Sequence, residues 1–172
     1  FLMVEKFGFS ASEMSLLFLV NMWATFYMAP KIGRFIQRFG ERRGLILEYV
    51  GLLVVFTGYA FATEAWMGVA LYLLDHVFFA MAIAIKTYFQ KIADPRDIAS
   101  SSGVSFTISH IVAVVIPAAF GFLWLISPAY VFLAGAAMAG VSLVLAMMVP
   151  RDPTPEHVAL VSFGKYAPAG AK

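Results

Sequence analysis

Asp75 and His76 stand side by side near the middle of a long apolar run, and His110 stands near the middle of another. Asn21 and Thr25 form an i, i+4 pair in a third. A charged side chain at the centre of a bilayer costs about 2.5–3.5 kcal/mol on insertion scales, so charges kept there mark solute and ion pathways. A carboxyl in such a place can exchange a proton or contact a polar solute. It can also be a structural carboxyl paired with a neighbouring helix, for instance through His110. His76 and His110 have the same two readings, since an imidazole can simply bond a nearby carbonyl.

Helical spacing puts Gly68, Tyr72, Asp75, Phe79, Ala82 and Lys86 on one stripe, and Gly103, Thr107, His110, Pro117 and Gly121 on another. With Asn21 and Thr25, these three faces are expected to converge on a polar cavity forming a substrate or proton pathway. Lys86 is expected to snorkel to the interface. Pro117 and Gly121 form a Pro-x-x-x-Gly pattern, expected to break its helix and act as a bending point. Other chemistries lack their residues. There is no cysteine, which excludes disulfides, thiol catalysis and thiolate metal sites. His-Glu-x-x-His, Gly-x-Ser-x-Gly and a glycine-rich phosphate loop are all missing from the sequence. No catalytic residue, metal or cofactor is expected.

The elements that must hold these residues follow from composition. The 172 residues are 62% hydrophobic and only 13% charged, with a mean hydropathy of +0.85. Soluble domains are about 45–50% apolar and about 25% charged, so a water-soluble core is ruled out. Runs of about 20 apolar residues are read as transmembrane helices, expected at about 11–30, 45–62, 65–87, 98–125 and 130–149. Strands are not credible, because the runs are continuous rather than alternating. Ser10-Ala11-Ser12-Glu13 reads as a capping box that starts the first span. Spans two and five carry small residues (Gly51, Gly58, Gly135, Ala136, Ala139, Gly140) and read as packing helices facing lipid. The fold class is therefore all-α, a polytopic helical bundle over 1–150, followed by a Pro-, Gly- and Ala-rich tail over 151–172 expected to be disordered.

Of the 12 Lys and Arg residues, 11 fall on one side of this arrangement, with Lys6 alone on the other. The positive-inside rule makes that side cytoplasmic, the C-terminus included. Five spans with an outside start imply at least one further helix upstream, so the chain is expected to be part of a longer protein. The net charge of +2 is too balanced for a nucleic-acid binder. Glu48 reads as an interfacial partner for the basic residues near Arg43.

Between spans one and two the sequence reads Pro30-Lys31-Ile32-Gly33-Arg34-Phe35-Ile36-Gln37-Arg38-Phe39-Gly40-Glu41-Arg42-Arg43. This resembles the signature loop of the major facilitator superfamily, Gly-x-x-x-Asp-Arg-x-Gly-Arg-Arg. Gly33, Arg38, Gly40, Arg42 and Arg43 match, with Arg42 at the first of the two final basic positions only if Glu41 is read as an insertion. Read without a gap, Glu41 replaces one Arg, and Gln37 replaces the Asp. Gly33 is expected to allow close helix approach, Gly40 a tight turn with positive φ, and the arginines bonds to helix C-termini and anionic headgroups. In the family this loop latches one conformation, so it is expected to be a gating loop, weakened here by Gln37. The stretches 87–95 and 109–117 are similar to the end of the family's tenth helix and its eleventh. The resemblance implies helices eight to twelve, with residues 1–7 at the outer end of helix seven.

The expected function is the C-terminal half of a secondary active transporter in the cell (inner) membrane. It would move a small solute by alternating access, with protons as candidate coupling ions. Its partners would be the lipid bilayer and the missing N-terminal half. Two other readings stay open: a small structural or regulatory membrane protein, and an intramembrane enzyme using Asp75, His76 and His110.

Overall fold

In a computed structural model describing residues 2–155 and 157–160, the first long helix starts at the predicted capping box. The Glu13 amide donates to Ser10 Oγ at 3.3 Å, and the Ser10 amide donates to Glu13 Oε2 at 2.8 Å. The box follows a short α1, Leu2–Glu5, and opens α2, Ala11–Phe39. An N-cap serine contributes about 1 kcal/mol. Ser10→Ala is therefore expected to lower the thermal midpoint by a few degrees without changing helix content, as circular dichroism in detergent would show.

α2 runs through Pro30, where the first span was expected to end. The missing amide and the ring clash of an interior proline cost about 3 kcal/mol. Beyond it, Ile32 and Ile36 are buried in a cluster with Leu45, Met81, Ala84, Ala146 and Val149. Burying each isoleucine contributes about 1.5–3 kcal/mol, which offsets the defect. The supposed loop at 30–43 is thus helix on both sides of one residue, Gly40. That glycine has φ 84°, as the sequence anticipates, and donates its amide to Ile36 O at 2.8 Å. α3, Glu41–Phe61, begins at the next residue.

The chain continues as α4 (Ala65–Phe79), a 3₁₀ turn (Ala80–Ala82), α5 (Ile83–Ile92), α6 (Ile98–Ile126) and α7 (Pro128–Met147). Among the described residues four stretches are long and apolar enough to cross a membrane: α3, α4 through α5 taken together, α6 and α7. α2 has the length, at 29 residues, but Glu13, Asn21, Thr25 and Lys31 dilute its apolar character, and it is not among the four. Among the described residues the only strand-like pairing is a bridge between Thr154 and His157.

α3 is the central element. Its glycines admit neighbours: Phe78 of α4 rests directly on Gly51, Leu71 lies 2.9 Å from where a Cβ on Gly58 would sit, and Ala84 lies 3.2 Å from that of Gly44. Against α7, the Tyr59 and Phe132 rings stack at 5.0 Å. Small residues here make the helix contacts expected of a packing helix. α6 lies at the other extreme, with no buried residue. At the end away from the basic residues, Lys6 Nζ donates to Ala62 O at 2.5 Å and Trp124 Nε1 donates to Glu5 Oε2 at 2.9 Å.

The segment after α7 folds back on the bundle. Tyr88 Oη donates to Val158 O, the Leu160 amide donates to Met148 O at 2.8 Å, and Pro153 is buried. The described part of the tail, up to residue 160, is therefore held against α5 and the end of α7. The rest of the stretch expected to be disordered, 161–172, lies outside the described residues.

Candidate functional site

The contact between α2 and α4 gathers polar groups. Asn21 is 7% exposed and sits one turn from Phe18, whose ring meets that of Tyr72 edge-on at 6.1 Å. The His76 ring lies 4.5 Å from the Tyr72 ring. Asn21 Oδ1 and Tyr72 Oη are both buried with no hydrogen-bond partner. Each such atom costs about 1–3 kcal/mol, and both fall on elements joined by the same ring contact.

Asp75 follows Tyr72 by one turn and is half-buried, its side chain 27% exposed. His76 Nδ1 donates to Tyr72 O at 2.9 Å. A carbonyl only accepts, so Nδ1 carries the hydrogen and Nε2 is left as an acceptor. Asp75 Oδ2 is 3.9 Å from Nδ1, too far for a hydrogen bond, so the carboxylate is not consumed by its neighbour. Thr25, a turn beyond Asn21, is half-buried. α2 and α4 thus carry an amide, a phenol, a carboxylate and an imidazole acceptor, groups of the kind that bind polar solutes. Among the described residues no group of three His, Cys, Asp or Glu is placed to hold a metal.

The third expected face is not brought to this contact. His110 is exposed and donates from Nδ1 to Phe106 O of its own helix at 2.9 Å, with its ring 4.0 Å from that of Phe106. Thr107 Oγ1 likewise donates to Gly103 O at 3.0 Å. The cause is packing: α6 rests mainly on α7, which leaves its polar stripe open. Nor does α6 break. It continues through Pro117 to Ile126, and nothing lies within 4 Å of a Cβ on Gly121.

At the basic end, the expected close approach at Gly33 is absent, since nothing lies within 4 Å of a Cβ there; Gly44 makes it instead. Gln37, Arg38 and Arg43 are exposed and Arg42 is half-buried. The burial of two acids was not anticipated. Glu41 is buried and pairs with Lys91 Nζ at 2.7 Å, tying the start of α3 to the end of α5. Glu48 is 3% exposed, and its Oε2 has no partner, so it is a buried group and not the interfacial partner expected. The spacing of Glu41, Leu45 and Glu48, all on one face of α3, was the available signal.

A bundle of long apolar helices with a polar contact between two of them defines a polytopic integral membrane protein. The chain belongs to the Major Facilitator Superfamily, whose family model matches residues 1–169. That superfamily is made up of transporters, and the chain is accordingly a transporter of this class. No curated protein and no solved structure matches it.

Proposed function

We propose that the chain is the C-terminal half of a secondary carrier that moves a small polar solute by alternating access. The α2–α4 contact forms one wall of the solute pathway, and Asp75 exchanges the coupling proton. In this reading α1 is the outer end of helix seven, and α2, α3, α4 through α5, α6 and α7 are helices eight to twelve. The basic end faces the cytoplasm, supported by the one-sided distribution of Lys and Arg, and the membrane is the cell's inner membrane. The open stripe of Thr107 and His110 on α6 supports a second bundle, which would close the pathway from the other side.

The observation that carries the reading is the pair of unpartnered buried atoms, Asn21 Oδ1 and Tyr72 Oη. Groups that cost stability and bond nothing within the protein are suited to bond something that comes and goes. Replacing such a group by an apolar one of the same shape is close to neutral or stabilising. Tyr72→Phe and Asn21→Leu are therefore expected to keep or raise the thermal midpoint. Both should reduce uptake, in cells expressing the complete carrier, of whichever solute a substrate screen identifies. Unchanged uptake in both variants would exclude this contact from the pathway.

A further inference from the structure

We infer that the cleft at the α2–α3 corner is a binding site for a phosphate-bearing anion. It has a volume of about 560 Å³, and segments far apart in the chain supply its bases: Arg38 from α2, Arg42 and Arg43 from α3, Lys91 from α5, and Arg151 from the segment after α7. Two acids also line it, Glu41 and Asp152. Lys91 already neutralises Glu41 at 2.7 Å. Among the described residues, none of the four arginines lies within salt-bridge distance of a carboxylate. No described carboxylate therefore neutralises their charge.

Three further features prepare the cleft. Arg38 and Arg43 lie over the Phe39 ring, 5.4 Å and 5.8 Å from its centroid, which limits the freedom a ligand would otherwise have to remove. α3 is 21 residues long and starts at Glu41 with no side-chain cap, so its first amides and the positive end of its dipole open at the corner. Gly40, at φ 84°, turns the chain so that the Arg151 carbonyl lies 3.6 Å from where a Cβ would sit, which brings the segment after α7 to the same place. Guanidinium forks and helix-start amides match the tetrahedral oxygens of a phosphate. Basic residues that served only to orient the protein would not need to converge from four separate segments.

The site is about 25 Å along α2 from Asn21 and is thus distinct from the proposed solute pathway. Its level in the bundle is that of lipid headgroups. The phosphate can be a diester in an anionic lipid or a soluble ion, and the two sources can be separated by experiment. The protein would be placed in nanodiscs of phosphatidylcholine alone, of phosphatidylcholine with phosphatidylglycerol, or of phosphatidylcholine with inorganic phosphate added. Hydrogen exchange of the 38–46 peptide and the thermal midpoint would be followed. Protection of that peptide by phosphatidylglycerol only identifies a headgroup phosphate; protection by inorganic phosphate identifies a soluble one.

Arg42→Gln is expected to weaken the protecting interaction about tenfold. Arg151→Gln, outside every helix, provides the same test should Arg42→Gln fail to fold. Arg34→Gln, a basic residue at the same end that does not line the cleft, should leave the interaction unchanged. The inference is overturned if neither additive protects 38–46, or if Arg34→Gln weakens protection as much as the cleft variants do.

Discussion

Asp75→Asn is expected to abolish concentrative uptake while leaving membrane insertion and folding intact. Asparagine has nearly the shape of aspartate and keeps a carbonyl acceptor, so the packing beside Tyr72 and His76 is retained. It cannot ionise, and it cannot exchange a proton. Because Asp75 bonds neither His76 nor any other described side chain, its carboxylate is available to a ligand. A hydrogen bond to a charged group is worth about 1.5–3 kcal/mol, which corresponds to a loss of about 10–150-fold. The measurement is uptake with and without an imposed pH gradient in cells expressing the complete carrier. Proton-driven accumulation should vanish, and downhill exchange should persist at a reduced rate. Asp75→Glu, which restores the charge on a longer stem, should recover part of the accumulation. Full accumulation by Asp75→Asn would remove this residue from the mechanism.

The largest expected effect on stability comes from a single methyl group. In Gly51→Ala the new Cβ would overlap the ring of Phe78, clashing with its Cγ, Cδ1 and Cε1 atoms. Cγ is the base of the ring, so no small adjustment of its far end relieves the overlap. Phe78 must swing away or α4 must move off α3. Phe78 also packs against both core clusters, one centred on Leu45 and Met81 and the other on Val55 and Tyr59, so its displacement disturbs both. Overpacking of this kind costs about 1–3 kcal/mol. Phe78→Leu should suppress part of that loss, and the double-mutant cycle measures the coupling. Gly33→Ala is the contrast. It has open space and a helical environment, and alanine should stabilise it by up to about 1 kcal/mol. Thermal melts of the purified protein check both; equal effects at the two glycines would contradict the packing described for α3.

Helix positions were legible where apolar runs end on clear signals. Asp97 precedes Ile98 and Ser127-Pro128 follows Ile126, so α6 was placed to within a residue of Ile98–Ile126. The Ser10–Glu13 box and the positive φ of Gly40 were legible for the same local reason. What escaped depends on partners distant in sequence. Pro30 signals an interruption, and only the burial of Ile32 and Ile36 against α3, α5 and α7 overrides it. Asn21, Tyr72 and Asp75 could be named as polar groups in apolar runs. That the helices of Asn21 and Tyr72 meet, through the Phe18–Tyr72 ring contact, while His110 stays apart is decided by which neighbour α6 packs on, and its own sequence carries no trace of that. Glu48 looked like a surface residue because Arg43 is near it in sequence; the twist of α3 turns it inward.

The 3₁₀ turn at Ala80–Ala82 has a consequence for how this span must be counted. A 3₁₀ segment winds about 120° per residue against about 100° in an α-helix, so three such residues advance everything after them by about 60° around the axis. Lys86 therefore does not continue the line drawn through Tyr72 and Asp75 at α-helical spacing. The acidic half and the basic half of the span point along different azimuths. Rewinding the turn as α-helix would rotate α5 back by that angle and shorten the span by about 1.5 Å. The angular register between Asp75 and the Lys91–Glu41 pair is thus set by three uncharged positions, Ala80, Met81 and Ala82, rather than by the charged residues themselves.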